Sequence, residues 1–187
     1  MRVLVACEFS GIVRDAFIAR GHDAVSCDLL PTERPGPHLQ RDIFDVLVQF
    51  QWDMIIFFYP CTRLCNSGVR WLAERNLWND MNRAAAEFRV LLDWDRIPKR
   101  AGENPIPHKY AVEWIGKYDQ IVHPWEHGHP ETKSTCLWLR GLPALKPTNV
   151  VSGRTARVHR ESPGPDRWKR RSRTYQGIAA AMAEQWG

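Results

Sequence analysis

A proline-cysteine pair, Pro60 and Cys61, lies just after the apolar run 54–58, which predicts a buried strand. Farther along the chain, Glu103 begins the sequence Glu103-Asn104-Pro105. A thiolate is a strong nucleophile toward carbon, and a carboxyl group can share a proton with a ring nitrogen. A thiol on the loop leaving one strand and a carboxyl on a second such loop are the groups needed for attack on an electron-poor ring.

Ligand-type residues also follow the elements predicted near the N-terminus. Phe9-Ser10-Gly11 comes after a first strand, Asp28 after a second, and Asp42 before a helix. Gly11 would let the backbone approach a ligand at a helix N-terminus. The two aspartates could accept hydrogen bonds from ribose hydroxyls or from a base amino group, and helix capping is the alternative role for both.

Strands and helices alternate along the chain, which predicts one α/β domain with a mostly parallel sheet, right-handed crossovers and helices on both faces. The predicted strands are 2–6, 24–27 and 52–58, and the predicted helices are 11–20, 42–50 and 81–94. The loop 31–38 is too rich in proline and glycine for regular structure. The segment 97–102 is polar and contains Pro98, a composition that is not typical of a buried strand.

The five cysteines are an odd number in a chain large enough to fold without disulfides, which favours a reducing cytoplasm. Cys61 is the candidate nucleophile, whereas core or loop packing is expected for Cys7, Cys27, Cys65 and Cys136. We find no apolar run of about 20 residues and no visible export signal, so no membrane association is expected. The sequence is compatible with a homodimer.

Residues 151–175 carry a net positive charge that exceeds the formal +5 of the whole chain. Such a stretch could contact a nucleic-acid backbone, or it could be a solvated tail that aids solubility. The candidate nucleic-acid-binding residues are Arg154, Arg157, Arg160, Arg167, Lys169, Arg170, Arg171 and Arg173.

The order of these motifs resembles that of the DNA cytosine-5 methyltransferases, which use S-adenosylmethionine. The segments that carry the resemblance are Phe9-Ser10-Gly11, Asp28, Asp42, Pro60-Cys61, Glu103-Asn104-Pro105, 128–133 (GHPETK) and 175–179 (YQGIA). Lys133 stands where the family has arginines, and Tyr59 stands where a small residue or a second proline is common. The chain looks most like the short, phage-type members, because residues 143–175 leave little room for a target-recognition domain.

The resemblance implies a Rossmann-like methyltransferase fold and methyl transfer to C5 of cytosine in duplex or single-stranded DNA, in a bacterial or phage-infected cell. The implied catalytic residues are Cys61, Glu103, Asn104 and Lys133. The implied S-adenosylmethionine-binding residues are Phe9, Ser10, Gly11, Asp28, Asp42 and Pro60. The implied divisions are a catalytic domain over 1–142, a basic arm over 143–175 and a C-terminal helix over 176–187 that completes the catalytic domain.

Two alternatives come from other classes of protein. Cys61, Cys65, His127, His129 and Cys136 could furnish a structural zinc site, although their spacing matches no common pattern. Alternatively, the chain could be a non-catalytic relative that binds nucleic acid or a protein through its basic arm.

Overall fold

Seven β-strands form a single sheet in the computed structural model, which describes residues 1–187. The strands are β1 (Arg2–Ala6), β2 (Asp23–Asp28), β3 (His38–Gln40), β4 (Met54–Phe57), β5 (Lys99–Pro105), β6 (Gln120–Val122) and β7 (Thr135–Arg140). Across the sheet they run in the order β3-β2-β1-β4-β5-β7-β6. Strands β1 to β5 pair in parallel, whereas β7 runs antiparallel to both β5 and β6.

Helices cover both faces of this sheet. They are α1 (Ile12–Ile18), α2 (Ile43–Gln49), α3 (Arg70–Glu74), α4 (Trp78–Leu92), α5 (Lys109–Ile115), α6 (Arg167–Ser172) and α7 (Gln176–Trp186). Because side chains alternate along a strand, Leu4 packs in one core with Phe88 of α4, and Val5 packs in a second core with Phe17 of α1. The predicted α/β class, with a mostly parallel sheet and helices on both faces, is confirmed. None of the helices combines the length and apolar character needed to cross a bilayer.

The polar segment before Glu103 is a strand of the sheet, contrary to the expectation from its composition. β5 lies between β4 and β7, and its first residues reach polar groups at the edge of the core. Lys99 Nζ donates to the Trp186 carbonyl at 3.2 Å, and Arg100 Nε donates to the Leu92 carbonyl at 2.7 Å. Both cations therefore bind carbonyl groups at the ends of α7 and α4, where the helix dipole favours positive charge.

Gly102 explains how β5 packs despite its lack of large apolar side chains. A Cβ atom at this position would lie 2.5 Å from the Phe57 ring and 2.9 Å from the Phe88 ring. Phe57, Phe88 and Trp138 form a run of edge-on aromatic contacts across this part of the core. The apolar groups that cover β5 therefore come from neighbouring elements. The composition of residues 97–102 cannot reveal this cover.

Arg14 fixes the loop after β2. Its side chain is fully buried, and its guanidinium pairs with Asp15 at 2.8 Å and donates to Ser26 at 3.1 Å. The same group also donates to Thr32 and to the carbonyls of Arg34 and Pro35 in the loop that precedes β3. The proline-rich loop predicted over 31–38 is thus irregular but anchored, and only its last residue belongs to β3.

Residues 143–175 pack against the rest of the chain. Leu145 and Val158 are buried in the same core as α1 and α7. Backbone bridges join His127 to Asn149 and Glu131 to Thr155. The segment ends in α6, after which α7 packs against α1.

Candidate active site

A cleft of about 1020 Å³ opens at the carboxyl ends of β1, β2, β4 and β5. Loops that leave parallel strands meet at this edge, where ligands bind in open α/β sheets. Its volume is at the top of the range of about 300–1,000 Å³ that is usual for ligand sites. The cleft is therefore large enough for more than one small ligand.

Most of the sequence-predicted site residues line this one cleft. Phe9, Ser10 and Asp28 follow β1 and β2, and Asp42 precedes α2. Pro60 and Cys61 follow β4, Glu103 lies in β5, and Lys133 lies just before β7. Gly11 and Asn104 are the predicted cofactor and catalytic residues that do not line it.

Asp28 and Asp42 both cap local turns and both face the cleft. Asp28 Oδ1 accepts a hydrogen bond from the Leu30 amide at 2.9 Å, and Asp42 Oδ1 accepts from the Phe44 amide at 2.8 Å. In each case the second carboxylate oxygen makes no hydrogen bond within the chain. Burial raises the pKa of Asp28. Capping and ligand binding are thus compatible, because each role uses a different oxygen.

The N-terminus of α1 is occupied by a side chain that sequence reasoning missed. Glu8 is buried and accepts hydrogen bonds from the Ser10 hydroxyl at 2.9 Å and from the Val13 amide at 2.8 Å. Gly11 has a φ of +71°, and a Cβ there would lie 2.5 Å from the guanidinium of Arg14. Glycine is therefore required at position 11 by the positive φ and by the close approach of the Arg14 guanidinium. The amide of Val13, in the first turn of α1, binds Glu8.

The loop that carries Cys61 is tightly folded. Cys61 begins a 3₁₀ turn, Cys61–Arg63, and its carbonyl accepts the Cys65 amide at 3.0 Å. A Cβ at Gly68 would collide with the Thr62 carbonyl, so the closing glycine of the motif lets the loop fold back on itself. His108 Nε2 donates to the Arg63 carbonyl at 2.8 Å and joins the loop to α5. Several bonds thus fix the position of the thiol.

Cys61 and Cys65 form a coupled pair in the cleft. The neighbouring Cys65 thiol, together with burial, raises the pKa of Cys61. Cys61 in turn lowers the pKa of Cys65, with further help from the Ser67 hydroxyl at 3.1 Å. Cys65 is buried in the loop, as expected, and it also lines the cleft beside the candidate nucleophile.

Glu103 lies next to Cys61 because β4 and β5 are neighbours, with Phe57 paired to Gly102 in register. Burial raises the pKa of Glu103, which favours its protonated form. The nearby Lys133 ammonium acts in the opposite direction and lowers the pKa of both Glu103 and Cys61. Lys133 Nζ donates to the Arg171 carbonyl at 3.0 Å, which holds the lysine at this end of the cleft.

Asn104 is fully buried behind the cleft. Its amide nitrogen donates to the Pro105 carbonyl at 2.6 Å, and its Oδ1 has no hydrogen-bond partner. This bond stays within β5, so the two roles expected for Asn104, bracing the loop and fixing an exocyclic amine, remain predictions.

Four of the eight cations in the basic stretch form ion pairs within the chain. Arg157 pairs with Glu131 at 3.0 Å, and Arg173 pairs with Glu33 at 2.7 Å. Arg170 pairs with Glu161, and Lys169 pairs with Asp166. Arg167 donates a hydrogen bond to the Glu161 carbonyl, and the Arg154 guanidinium lies over the Trp125 ring. Among the eight candidates, Arg171 and Arg173 line the cleft, and Arg160 is exposed.

Two tryptophans add aromatic surface to the cleft. Trp168 of α6 packs against Phe9 with ring centroids 5.7 Å apart. Trp71 of α3 lies between the guanidinium groups of Arg70 and Arg75, which are 4.2 Å and 4.1 Å from its ring centroid. The contact between Phe9 and Trp168 thus joins the proposed cofactor motif to the basic segment. The sequence does not reveal this contact, because the two residues lie far apart in the chain.

The five residues of the alternative zinc site are not brought together. His127 Nδ1 is 3.0 Å from the Thr148 hydroxyl, and His129 Nε2 accepts the Gly177 amide at 3.0 Å, whereas Cys61 and Cys65 lie in the cleft. No group of three or more His, Cys, Asp or Glu side chains is arranged to hold a metal ion. The zinc alternative is therefore wrong.

Comparison with known proteins identifies a relative in fold. No family model and no curated protein matches the sequence. Among solved structures, the chain is similar to the Entamoeba histolytica methyltransferase EhMeth, with a TM-score of 0.50 and 12% sequence identity over 88% of this chain. The chain spans 60% of the length of that protein's chain. At this identity the similarity shows only that the two chains share a fold.

Proposed function

We propose that this protein transfers a methyl group from S-adenosylmethionine to C5 of cytosine in DNA through a covalent bond between Cys61 and C6. The observation that carries the proposal is the arrangement of two sets of residues along one cleft. Asp28, Asp42 and Phe9 lie beside β2 and β1, and Cys61 and Glu103 lie beside β4 and β5. The order of strands thus provides a cofactor end and a reaction end next to each other.

The residues at the cofactor end fit S-adenosylmethionine in chemistry. Asp28 and Asp42 each keep one carboxylate oxygen for hydroxyl or amino groups of a nucleoside. Phe9, Leu29 and Phe44 supply apolar surface for its ring system. When bound there, S-adenosylmethionine supplies an electrophilic methyl group.

Cys61 provides the nucleophile at the reaction end. Its thiolate adds to C6 of the ring, so the S–C6 bond forms and the electron pair of the C5–C6 double bond becomes available at C5 for bonding to the methyl group. Loss of the C5 proton and release of Cys61 then restore the double bond. The raised pKa of Cys61 means that its proton must leave before attack, and Lys133 favours the resulting thiolate.

Glu103 stabilises the charge that builds on the ring. Burial raises the pKa of this carboxyl, so it is protonated over a wider pH range than an exposed glutamate. In that form it donates a hydrogen bond to N3, where negative charge develops as Cys61 adds.

Surface features near the cleft support a nucleic-acid substrate. Trp71, held between Arg70 and Arg75, combines an aromatic face with positive charge, as single-strand-binding surfaces do. A cytosine must leave the base stack to reach Cys61, because a thiol in a cleft cannot reach C6 inside a duplex.

The test is transfer of a labelled methyl group from S-adenosylmethionine to duplex and single-stranded DNA of mixed sequence. We expect incorporation with the wild type and with Cys136→Ala, because Cys136 is buried in β7 and does not line the cleft. We expect only background incorporation with Cys61→Ser. Cofactor binding without any transfer by the wild type would instead support a non-catalytic binding protein.

A further inference from the structure

Arg171 is an unpaired cation inside the cleft. Its side chain makes no hydrogen bond and no ion pair within the chain, and its Nε is buried without a partner. A buried donor without a partner is costly, and for a guanidinium the cost is greater because the group is charged. Such a group requires an explanation, and an absent anionic ligand is one that chemistry favours.

The other cations of the same segment show that Arg171 is a special case. Arg157, Arg170 and Arg173 each pair with a glutamate, and Lys169 pairs with Asp166. Acidic partners are therefore plentiful in this region, yet none lies beside Arg171. Arg171 lines the cleft, and its side chain has no partner within the chain.

The backbone places Arg171 at the reaction end of the cleft. Its carbonyl accepts a hydrogen bond from Lys133 Nζ at 3.0 Å. The charge of Lys133 in turn acts on both Cys61 and Glu103, so these groups are its close neighbours. Lys133 thus lies beside the position proposed for the target base, and the backbone of Arg171 adjoins it.

We propose that Arg171 binds the phosphate of the cytosine nucleotide whose base enters the site. This proposal rests on the proposed function, because it takes the substrate to be a cytosine nucleotide. A guanidinium presents a planar set of donors that matches phosphate oxygens and can form two parallel hydrogen bonds. Arg171, which belongs to the segment 143–175, thereby positions the substrate.

The first test measures binding without catalysis. Isothermal titration calorimetry compares deoxycytidine 5′-monophosphate with deoxycytidine, which lacks the phosphate. For the wild type we expect the nucleotide to bind roughly 10- to 100-fold more tightly than the nucleoside. Arg171→Ala should abolish this difference, and Arg171→Lys should restore part of it. If the variant keeps the full difference, or if the wild type shows none, the proposal is wrong.

A matched control separates a specific contact from loss of positive charge. Arg96 is exposed, makes no ion pair, and lies before β5 at the opposite edge of the sheet. Arg96→Ala should bind both ligands as the wild type does. Thermal unfolding followed by circular dichroism should show that Arg171→Ala remains folded. A fall in S-adenosylmethionine affinity, with unchanged nucleotide affinity, would assign the guanidinium to the cofactor carboxylate and overturn the proposal.

A third measurement distinguishes a free nucleotide from a DNA strand as the source of the phosphate. A single-stranded oligonucleotide with one cytosine is titrated at several salt concentrations. If the phosphate belongs to a strand, Arg171→Ala should reduce the slope of log K against log salt by about 0.7, the contribution of one contact. If only the free nucleotide responds to Arg171→Ala, the phosphate site belongs to a nucleotide substrate. Because these readouts do not depend on turnover, failure of methyl transfer and failure of phosphate binding remain distinguishable.

Discussion

At the scale of single residues, the reaction end depends on titratable groups with altered pKa values. Burial raises the pKa of Glu103, while the neighbouring Cys65 thiol raises the pKa of Cys61. The sequence was sufficient to select Cys61 and Glu103 as candidate reacting groups, because each stands in a recognisable motif, and both line the cleft. It was not sufficient to select Cys65 or to separate Arg171 from its neighbours, since their roles depend on which partners the fold brings close.

Glu103→Gln tests the carboxyl group. The amide keeps the shape of the side chain but cannot transfer a proton to the ring. We expect kcat for methyl transfer to fall by about 10²- to 10⁴-fold, the usual contribution of a general acid. The affinity for S-adenosylmethionine should stay within the error of the titration. A kcat near that of the wild type would remove Glu103 from the mechanism.

Cys65→Ala tests the coupling of the two thiols. The substitution removes the largest cause of the raised pKa of Cys61, so the Cys61 thiolate should form at lower pH. Because the thiolate is the reactive form, alkylation of Cys61 by iodoacetamide should rise with pH and reach half of its maximum at a lower pH in the variant. Peptide mass spectrometry measures the modified fraction, with Cys136→Ala as control. Identical pH profiles in the wild type and in Cys65→Ala would contradict the coupling.

At the scale of elements, the strands and helices that position the site differ in how clearly the sequence predicts them. β1 and β4 are short apolar runs, and the structure has both, β4 with narrower bounds than predicted. β5 was missed because its polar residues bind helix ends and its glycine receives aromatic rings from other elements. β6, β7 and α5 received no assignment, since elements of only three to seven residues give little periodic signal.

Arg14→Met tests the anchoring of the loop that leads from β2 to β3. The substitution removes a fully buried guanidinium and leaves the Ser26 and Thr32 hydroxyls and the Arg34 and Pro35 carbonyls without this donor, whereas Asp15 keeps its pair with Arg34. We expect the free energy of unfolding to fall by about 1–3 kcal/mol, because buried acceptors lose a charged donor. Urea denaturation provides the measurement.

Arg20→Met is the matched control for that experiment. Arg20 pairs with Glu184 at 3.3 Å, but both side chains are about half exposed. Surface pairs contribute about 0–1 kcal/mol, so this variant should unfold nearly as the wild type does. Equal losses in the two arginine variants would show that Arg14 has no special role.

At the scale of the whole molecule, the basic segment folds onto the rest of the chain and forms ion pairs with four of its eight cations. The segment reaches two parts of the cleft, where the Trp168 ring packs on Phe9 and the Arg171 carbonyl accepts a hydrogen bond from Lys133. Composition indicated the excess of positive charge but not these ion pairs, because the acidic partners Glu33 and Glu131 lie far away in sequence. We therefore expect fewer phosphate contacts than the eight candidate residues would allow.

The salt dependence of DNA binding tests this arrangement. Eight phosphate contacts to a single strand would give a slope of log K against log salt of about −6, and two contacts would give about −1.4. We expect a slope shallower than about −2, measured by fluorescence anisotropy of a labelled single strand. A slope near −6 would mean that the internal ion pairs open and that the segment follows the DNA backbone.

The most direct test of the account is covalent trapping by DNA that contains 5-fluorocytosine. Once Cys61 has added to C6 and C5 has received the methyl group, no proton remains at C5 to leave, so the S–C6 bond should persist. With S-adenosylmethionine present, mass spectrometry should find the DNA attached to the peptide that contains Cys61 in the wild type and no adduct in Cys61→Ser. An adduct on Cys65, or no adduct from a protein that binds both ligands, would contradict the assignment of Cys61 as the nucleophile.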